Sequence, residues 1–255
     1  MVTRIHDIDM YWEETGEGEP LLWLHGGMGL GTDWMHIYKE SPPGYRLVAP
    51  DLRGHGRTND PESRFSFRQC ALDVRELLQQ LHINRVKAVG LSGGGIVLLH
   101  LATLEPALVE RMVVVSAPPY FPEQARAIQR SFSPAMLGEA DLARMRDRHP
   151  RDGQLDRLFE YTHAMGNSYD DVNFTPPLLS TISAETLIVF GDRDFLYPVS
   201  MATDLRNAIP RSYLWVVPNG GHGPVFGHDA PRFVETSLSF LRGDWSASNR
   251  QSNSR

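Results

Sequence analysis

Apolar and polar positions along this chain fall into a repeating order. Short apolar runs bounded by turn residues read as buried strands, too short to be helices on their own. They are Leu21-Leu22-Trp23-Leu24-His25, Tyr45 to Pro50, Val86 to Val89, Arg111 to Ser116, Glu185 to Phe190 and Ser212 to Val217. Residues 1–15 alternate loosely and predict two edge strands. Between the runs lie helical patterns. From Phe67 to Leu81, the residues Cys70, Val74, Leu77, Leu78 and Leu81 recur at helical spacing. A helix follows Gly93, another ends near Ala208, and a closing helix runs from Pro231 to Leu241. A short helix opens at Thr32-Asp33-Trp34, with Thr32 or Asp33 as its N-cap, and stops before Pro42-Pro43-Gly44. Repeated strand, helix, strand implies a mostly parallel sheet with helices on both faces, an α/β fold.

From Pro118 to about Ser183 this alternation stops. The stretch mixes charged residues with Phe121, Phe132, Met136, Leu142, Met145, Leu155, Leu158, Phe159 and Met165. It predicts a few helices inserted between two strands, with Pro118-Pro119 and Pro176-Pro177 as hinges. The expected division is a core of residues 1–117 and 184–242, a helical insertion at 118–183, and a disordered polar tail at 243–255. No internal repeat is visible.

Composition bounds the picture without naming a chemistry. A chain of 255 residues that is 41% hydrophobic can bury a sizeable α/β core with an insertion. A net charge of −6 gives no electrostatic reason to bind nucleic acid or an anionic membrane. No run is long enough to span a bilayer, and Met1 to Asp7 lacks an apolar signal stretch. These features predict a soluble cytoplasmic protein. Cys70 is the only cysteine, so no intrachain disulfide can form; it reads as a small core residue.

The candidate chemistry sits at Gly90-Leu91-Ser92-Gly93-Gly94. A Gly-x-Ser-x-Gly between a strand and a helix makes a nucleophile elbow, a turn so tight that the serine hydroxyl stands clear of the sheet. The following helix aims backbone N–H groups and a partial positive charge at whatever Ser92 attacks. A second glycine-rich loop, Gly26 to Gly31, opens after the strand ending at His25. No Gly-Lys-Ser/Thr follows, which argues against a phosphate loop. It suits an oxyanion loop, because Gly27 can bring its N–H to a substrate oxygen with no Cβ in the way. His25 reads as a structural histidine bonding that loop, with direct catalysis as the lesser alternative. The turn Asp51-Leu52-Arg53-Gly54-His55-Gly56-Arg57-Thr58 reads as a loop knitted by hydrogen bonds.

Taken together and in order, Leu24-His25-Gly26-Gly27, Asp51 to Gly56, Gly90 to Gly94, Gly191-Asp192-Arg193-Asp194 with Pro198, and Gly221-His222 resemble the α/β-hydrolase family over nearly the whole chain. The resemblance implies Ser92 as nucleophile, Asp194 as acid and His222 as base, with the N–H groups of Gly27 and Gly93 as oxyanion hole. It also implies that the inserted helices are a cap. Asp192 competes for the acid role, and His228 weakly for the base; His100 lies within the helix after Ser92 and reads as packed. Ser116-Ala117 weighs against the variant whose acid lies one strand earlier. A serine in place of an aspartate nucleophile argues against haloalkane dehalogenases and epoxide hydrolases. Met28 departs from the proline usual in proline iminopeptidases, and Thr58 from the serine usual in the charged turn.

The implied function is a cofactor-independent serine hydrolase, of carboxylesterase type, acting on a small-molecule ester of a small or medium acyl group. Hydrolysis of a carbon–carbon bond, thioester, lactone or amide by the same triad is the alternative. A slow-turnover ligand receptor is the non-enzyme reading. Scattered histidines and the lack of a dinucleotide fingerprint lead to the expectation of no metal and no organic cofactor.

Overall fold

The computed structural model describes residues 1–62 and 65–245. Strands β1 (Val2–Ile5) and β2 (Ile8–Thr15) form a hairpin. Strand β3 (Glu19–Leu24) leads through a 3-10 turn, Gly31–Trp34, into α1 (Met35–Tyr38) and β4 (Tyr45–Pro50). Helix α2 (Phe67–Gln80), β5 (Val86–Leu91), α3 (Gly93–Leu104) and β6 (Val109–Val115) follow. Four helices come before the next strand: α4 (Glu123–Ser131), α5 (Glu139–Arg148), α6 (Gln154–Met165) and α7 (Pro176–Leu179). The chain closes with β7 (Glu185–Gly191), α8 (Val199–Ala208), β8 (Ser212–Val217) and α9 (Ala230–Arg242).

The strands make one sheet in the order β1-β2-β4-β3-β5-β6-β7-β8. From β4 to β8 every pair is parallel; β2 is antiparallel to both β1 and β4. This is the α/β-hydrolase architecture. Only β1 is an edge at that end, since β2 is paired on both sides and the expectation of two edge strands overcounts by one. Alternation along each strand divides the apolar residues between two faces. Leu22, Leu24, Ala88 and Ile188 pack with α2, α3, α7 and α8 on one face. Leu21, Trp23, Val89 and Val189 pack with α1 and α9 on the other. Cys70 is fully buried in α2, and burial pushes its thiol well above its ordinary pKa.

Local chemistry sets several boundaries. Ser66 caps α2 by accepting the Gln69 N–H at 3.0 Å. Neither Thr32 nor Asp33 is the N-cap of the early helical turn. That position falls to Leu30, whose N–H donates to Asp33 Oδ2 at 2.9 Å, so the aspartate caps from inside the turn. The chain leaves the sheet after β6 and returns by an isolated bridge, Tyr120 to Asn173, where Phe174 N–H donates to Pro119 O. Helix α7 beyond it packs on α3 and α8 with Leu179 in the core, so the excursion closes about ten residues before Ser183. At the other end, Gly243 terminates α9 in a left-handed conformation. The Trp245 indole, within the expected tail, packs edge-on against Tyr213 and Phe240 at the margin of the core. Residues 246–255 of that tail lie outside the described residues. Among the described residues no helix is long and apolar enough to cross a membrane.

Candidate active site

The parallel register brings the C-terminal ends of the strands to one edge, with Leu24 beside Gly90, Leu91 beside Val115 and Gly191 beside Val217. The loops that follow therefore meet in space, where open α/β sheets gather their sites. At the end of β5 the chain turns so sharply that Ser92 takes φ +50°, ψ −114°. A residue with a Cβ adopts such a conformation only where its surroundings enforce it. They do: Ser92 N–H donates to Val115 O at 2.7 Å, and α3 begins on the next residue. The turn closes because Gly94 has no side chain. A Cβ there would lie 2.3 Å from Leu24 O, and one at Gly90 would lie 2.5 Å from Gly94 O.

Ser92, His222 and Asp194 meet above this edge. Ser92 Oγ stands 2.9 Å from His222 Nε2. His222 Nδ1 lies 2.9 and 3.1 Å from the two carboxylate oxygens of Asp194. A carboxylate can only accept, so Nδ1 carries the proton and Nε2 is left to accept from the serine hydroxyl. Asp194 is fully buried and held by the Leu196 and Tyr197 N–H groups at 2.8 and 3.1 Å. Phe195 and Tyr197 flank the imidazole edge-on. Asp192 is exposed, and only its backbone bonds in the turn, with its N–H donating to Val217 O at 3.2 Å. His228 is exposed in a 3-10 turn. His100 donates to Asp171 O at 2.7 Å and packs on Phe174.

Gly27 and Gly93 face each other across the site; a Cβ built on Gly93 would lie 3.5 Å from Gly27 N. Among the described residues neither N–H has a hydrogen-bond acceptor. His25 supports this loop from below. Its Nδ1–H donates to Gly26 O at 2.7 Å, and Nε2 accepts Leu52 N–H at 2.9 Å. Burial lowers its pKa, so it stays neutral and keeps both bonds. The charged turn is knitted as its composition suggests. Arg53 is buried and spends its guanidinium on Asp73, Asp7 and Asp60, while Asp51 accepts Gly31 N–H and Arg57.

The insertion reaches this region through a contact that sequence patterns could not reveal. His149, just after α5, accepts Gly56 N–H on Nδ1 at 2.9 Å and donates Nε2–H to Met28 O at 3.2 Å. Met28 sits in the left-handed region at φ +59°. Arg148 pairs with Asp33 at 2.7 Å, and Gln154 Nε2 donates to Gly54 O and Gly56 O. Burial, its largest influence, pushes His149 down to about 4. His55, between His25 and His149 with ring centroids 5.1 and 5.9 Å away, is lowered well below the usual value for the same reason.

A cavity of about 510 Å³ opens above Ser92. Its floor is Gly27, Ser92, Gly93 and His222; Phe121, Ile128, Gln129, Phe132, Met145, Thr162 and Met165 of the insertion form the far wall. Phe195, Leu196, Tyr197 and Phe226 add apolar surface from the loops that carry Asp194 and His222. Of the insertion's large apolar residues, Met136 is exposed, and Phe159 is buried behind Phe132 without lining the cavity. No Asp, Glu, Lys or Arg among the described residues lines it. Among the described residues no group of three potential metal ligands exists.

The chain belongs to the Alpha/beta hydrolase family, whose profile matches residues 21–236. It is 28% identical to the serine hydrolase BPHL of Mus musculus over 254 residues, which cover 92% of this chain and 84% of that protein. It is 27% identical to the pimeloyl-[acyl-carrier protein] methyl ester esterase of Vibrio vulnificus over 264 residues, covering 91% and 98%. The solved structure of a meta-cleavage product hydrolase superposes with a TM-score of 0.81 at 20% identity, covering 95% of this chain and 97% of that one; at that identity the likeness speaks for the fold alone.

Proposed function

We propose that the protein is a serine hydrolase cleaving a carboxylic ester of a small or medium acyl group through an acyl-enzyme on Ser92. One observation carries this reading: an unbroken hydrogen-bond chain from Ser92 Oγ through His222 to buried Asp194 opens onto an apolar cavity beside two free N–H groups. A serine hydroxyl is a weak nucleophile until a base takes its proton. His222 Nε2 takes it as Oγ attacks the ester carbonyl, and Asp194 stabilises the resulting imidazolium. The carbonyl oxygen becomes an oxyanion between the Gly27 and Gly93 N–H groups, aided by the N-terminal end of α3. His222 then returns the proton to the departing alcohol. Water, deprotonated by the same nitrogen, attacks the acyl-enzyme and releases the acid. No step calls for a metal or organic cofactor.

The insertion acts as a cap in this reading. Its wall excludes water above Ser92 and sets the length and shape of the acyl group. The uncharged lining favours a neutral substrate. Among the described residues it offers no carboxylate to hold the ammonium group of an aminopeptidase substrate, and no arginine or lysine for a substrate carboxylate. The methyl ester esterase among the relatives is in keeping with an ester.

The test is a panel of p-nitrophenyl esters of graded chain length beside amide and thioester analogues. Steady turnover of a neutral ester is expected after dialysis against a chelator. Ser92→Ala should remove about 10⁴-fold or more of kcat while circular dichroism stays unchanged. Activity of the variant within tenfold of the parent overturns the nucleophile. A single stoichiometric burst with no steady phase favours the receptor.

A further inference from the structure

The wall of the cavity above Ser92 is carbon-rich, and the insertion interrupts it with one hydroxyl, on Thr162, and one carboxamide. Gln129 on α4 lines the cavity at 8% exposure. Its Oε1 is buried with no hydrogen-bond partner, and no hydrogen bond of its carboxamide exists among the described residues. The other buried glutamine of the insertion shows what a structural role looks like. Gln154 donates from Nε2 to Gly54 O, Gly56 O and Thr58 O, and its Oε1 accepts Arg151 N–H. Arg126, one turn before Gln129 on the same helix, is likewise engaged, donating to Phe121 O and Ser168 O. The helix thus satisfies its buried polar groups except where it meets the cavity.

A carboxamide in that position penalises an all-carbon ligand. Oε1 is closed to solvent, so water in the open cavity serves the carboxamide through Nε2, and an unbranched acyl chain displaces that water and returns no hydrogen bond. A chain carrying its own hydrogen-bonding group replaces the water without that loss. A neutral group fits best, since among the described residues no Asp, Glu, Lys or Arg lines the cavity to pair with a charge. Thr162 on α6, in the same wall, spends its hydroxyl proton on Leu158 O and keeps lone pairs to accept. A hydroxyl or an amide on the ligand can both donate and accept, so it fits either orientation of the Gln129 carboxamide.

We propose that Gln129 is a specificity-determining residue that selects substrates whose otherwise apolar chain bears a neutral hydrogen-bonding group, a hydroxyl or an amide, over the unsubstituted chain. The assignment rests on the hydrolase reading for its place in a reaction, but its ligand preference can be measured without turnover.

The experiment therefore starts from binding. On the Ser92→Ala background, dissociation constants are measured for matched ester pairs, plain against hydroxylated and plain against amide-bearing. The substituent is walked along the acyl chain in one series and along the alcohol in the other. At one position or more the polar member should bind at least tenfold tighter, and adding Gln129→Met, of similar volume, should reduce that ratio by on the order of tenfold. With Ser92 intact, the same pairs should show the ratio in kcat/KM. Gln129→Leu provides a second apolar variant should the first fold poorly, and thermal melts establish that each is folded. A preference absent from every pair, or one that survives loss of the carboxamide, overturns the assignment. The hydrolase reading is judged separately, by turnover of the plain esters with Ser92 intact.

Discussion

Helices α3 and α5 stand at opposite extremes of this molecule. Nine residues of α3 are buried, among them Gly94 and Gly95, whose missing side chains let strand and helix touch. Helix α5 buries none of its residues. Its sequence is mostly charged, with Leu142 and Met145 only half-buried, and a helix of that kind needs an anchor outside itself. The anchor is at its C-terminal end, where Arg148 grips Asp33 and His149 bridges Gly56 and Met28. Close packing of backbone on backbone leaves the Ser92 turn no alternative position. The α5 end is placed by a few polar contacts, each of which can be removed singly. The arrangement separates what has to stay fixed for catalysis from what can vary to change the substrate.

The largest effect that would sharpen this contrast is on the loop after β7. Asp194→Asn should lower kcat by about 10⁴-fold, because an amide favours the wrong imidazole tautomer. Asp192→Asn, two residues away and exposed, should stay within about threefold of the parent. Steady-state kinetics on the pair decides the matter, and a crippled Asp192 variant would reverse the assignment.

Next in size is the histidine anchor. Its folded-state pKa is depressed to about 4 from 6.5, because burial disfavours the imidazolium and Nδ1 must stay free to accept Gly56 N–H. Above pH 6.5 the group is neutral folded or unfolded and its contribution is fully present. As pH falls toward 4 the unfolded chain takes up a proton that the folded one refuses, and up to about 3 kcal/mol of stability is lost. His149→Gln can donate and accept in the same place without titrating. Melting curves at pH 7 and pH 5 should converge less steeply in the variant than in the parent. An equal drop in both would leave the acid sensitivity to His25 and His55.

The smallest expected effect lies in the cavity wall. Phe132→Ala should shift the ratio of rates on long and short acyl esters by about 1–3 kcal/mol, whereas Met136→Ala, exposed on the same segment, should leave it unchanged. Equal profiles for both variants would place the specificity wall elsewhere.

The alternation of apolar runs and helical stripes carried the fold, since burial on both sheet faces makes each strand a continuous apolar run and burial of one helix face imposes a period of 3.6. Local motifs carried the candidate site in part. Gly90-Leu91-Ser92-Gly93-Gly94 announces its own backbone, because the tightness of the turn is written in its glycines. Asp194 and His222 are less legible as residues. Each is one polar position in a loop, and their meeting with Ser92 depends on a register among β5, β7 and β8 that no local spacing encodes. The sequence also could not separate Phe132, which lines the cavity, from Met136, which faces solvent. An irregular chain between short helices has no period from which a facing direction can be read.

By itself, then, the sequence determined the α/β architecture, the sharp turn at Ser92, the glycine loop at Gly27 and the place where the chain leaves the sheet. In each case the physical requirement is local: an apolar run, a missing Cβ, a broken alternation. Tertiary structure alone decided that Asp194 and not Asp192 faces His222, that α7 belongs to the core and that Trp245 packs at its margin. It also decided that His149 holds the loop at Met28, and that Gln129 stands unpartnered in the cavity wall. Those outcomes are set by contacts between residues far apart in the chain, and hydrogen bonds and burial across such distances exist only once the sheet has brought its loops together.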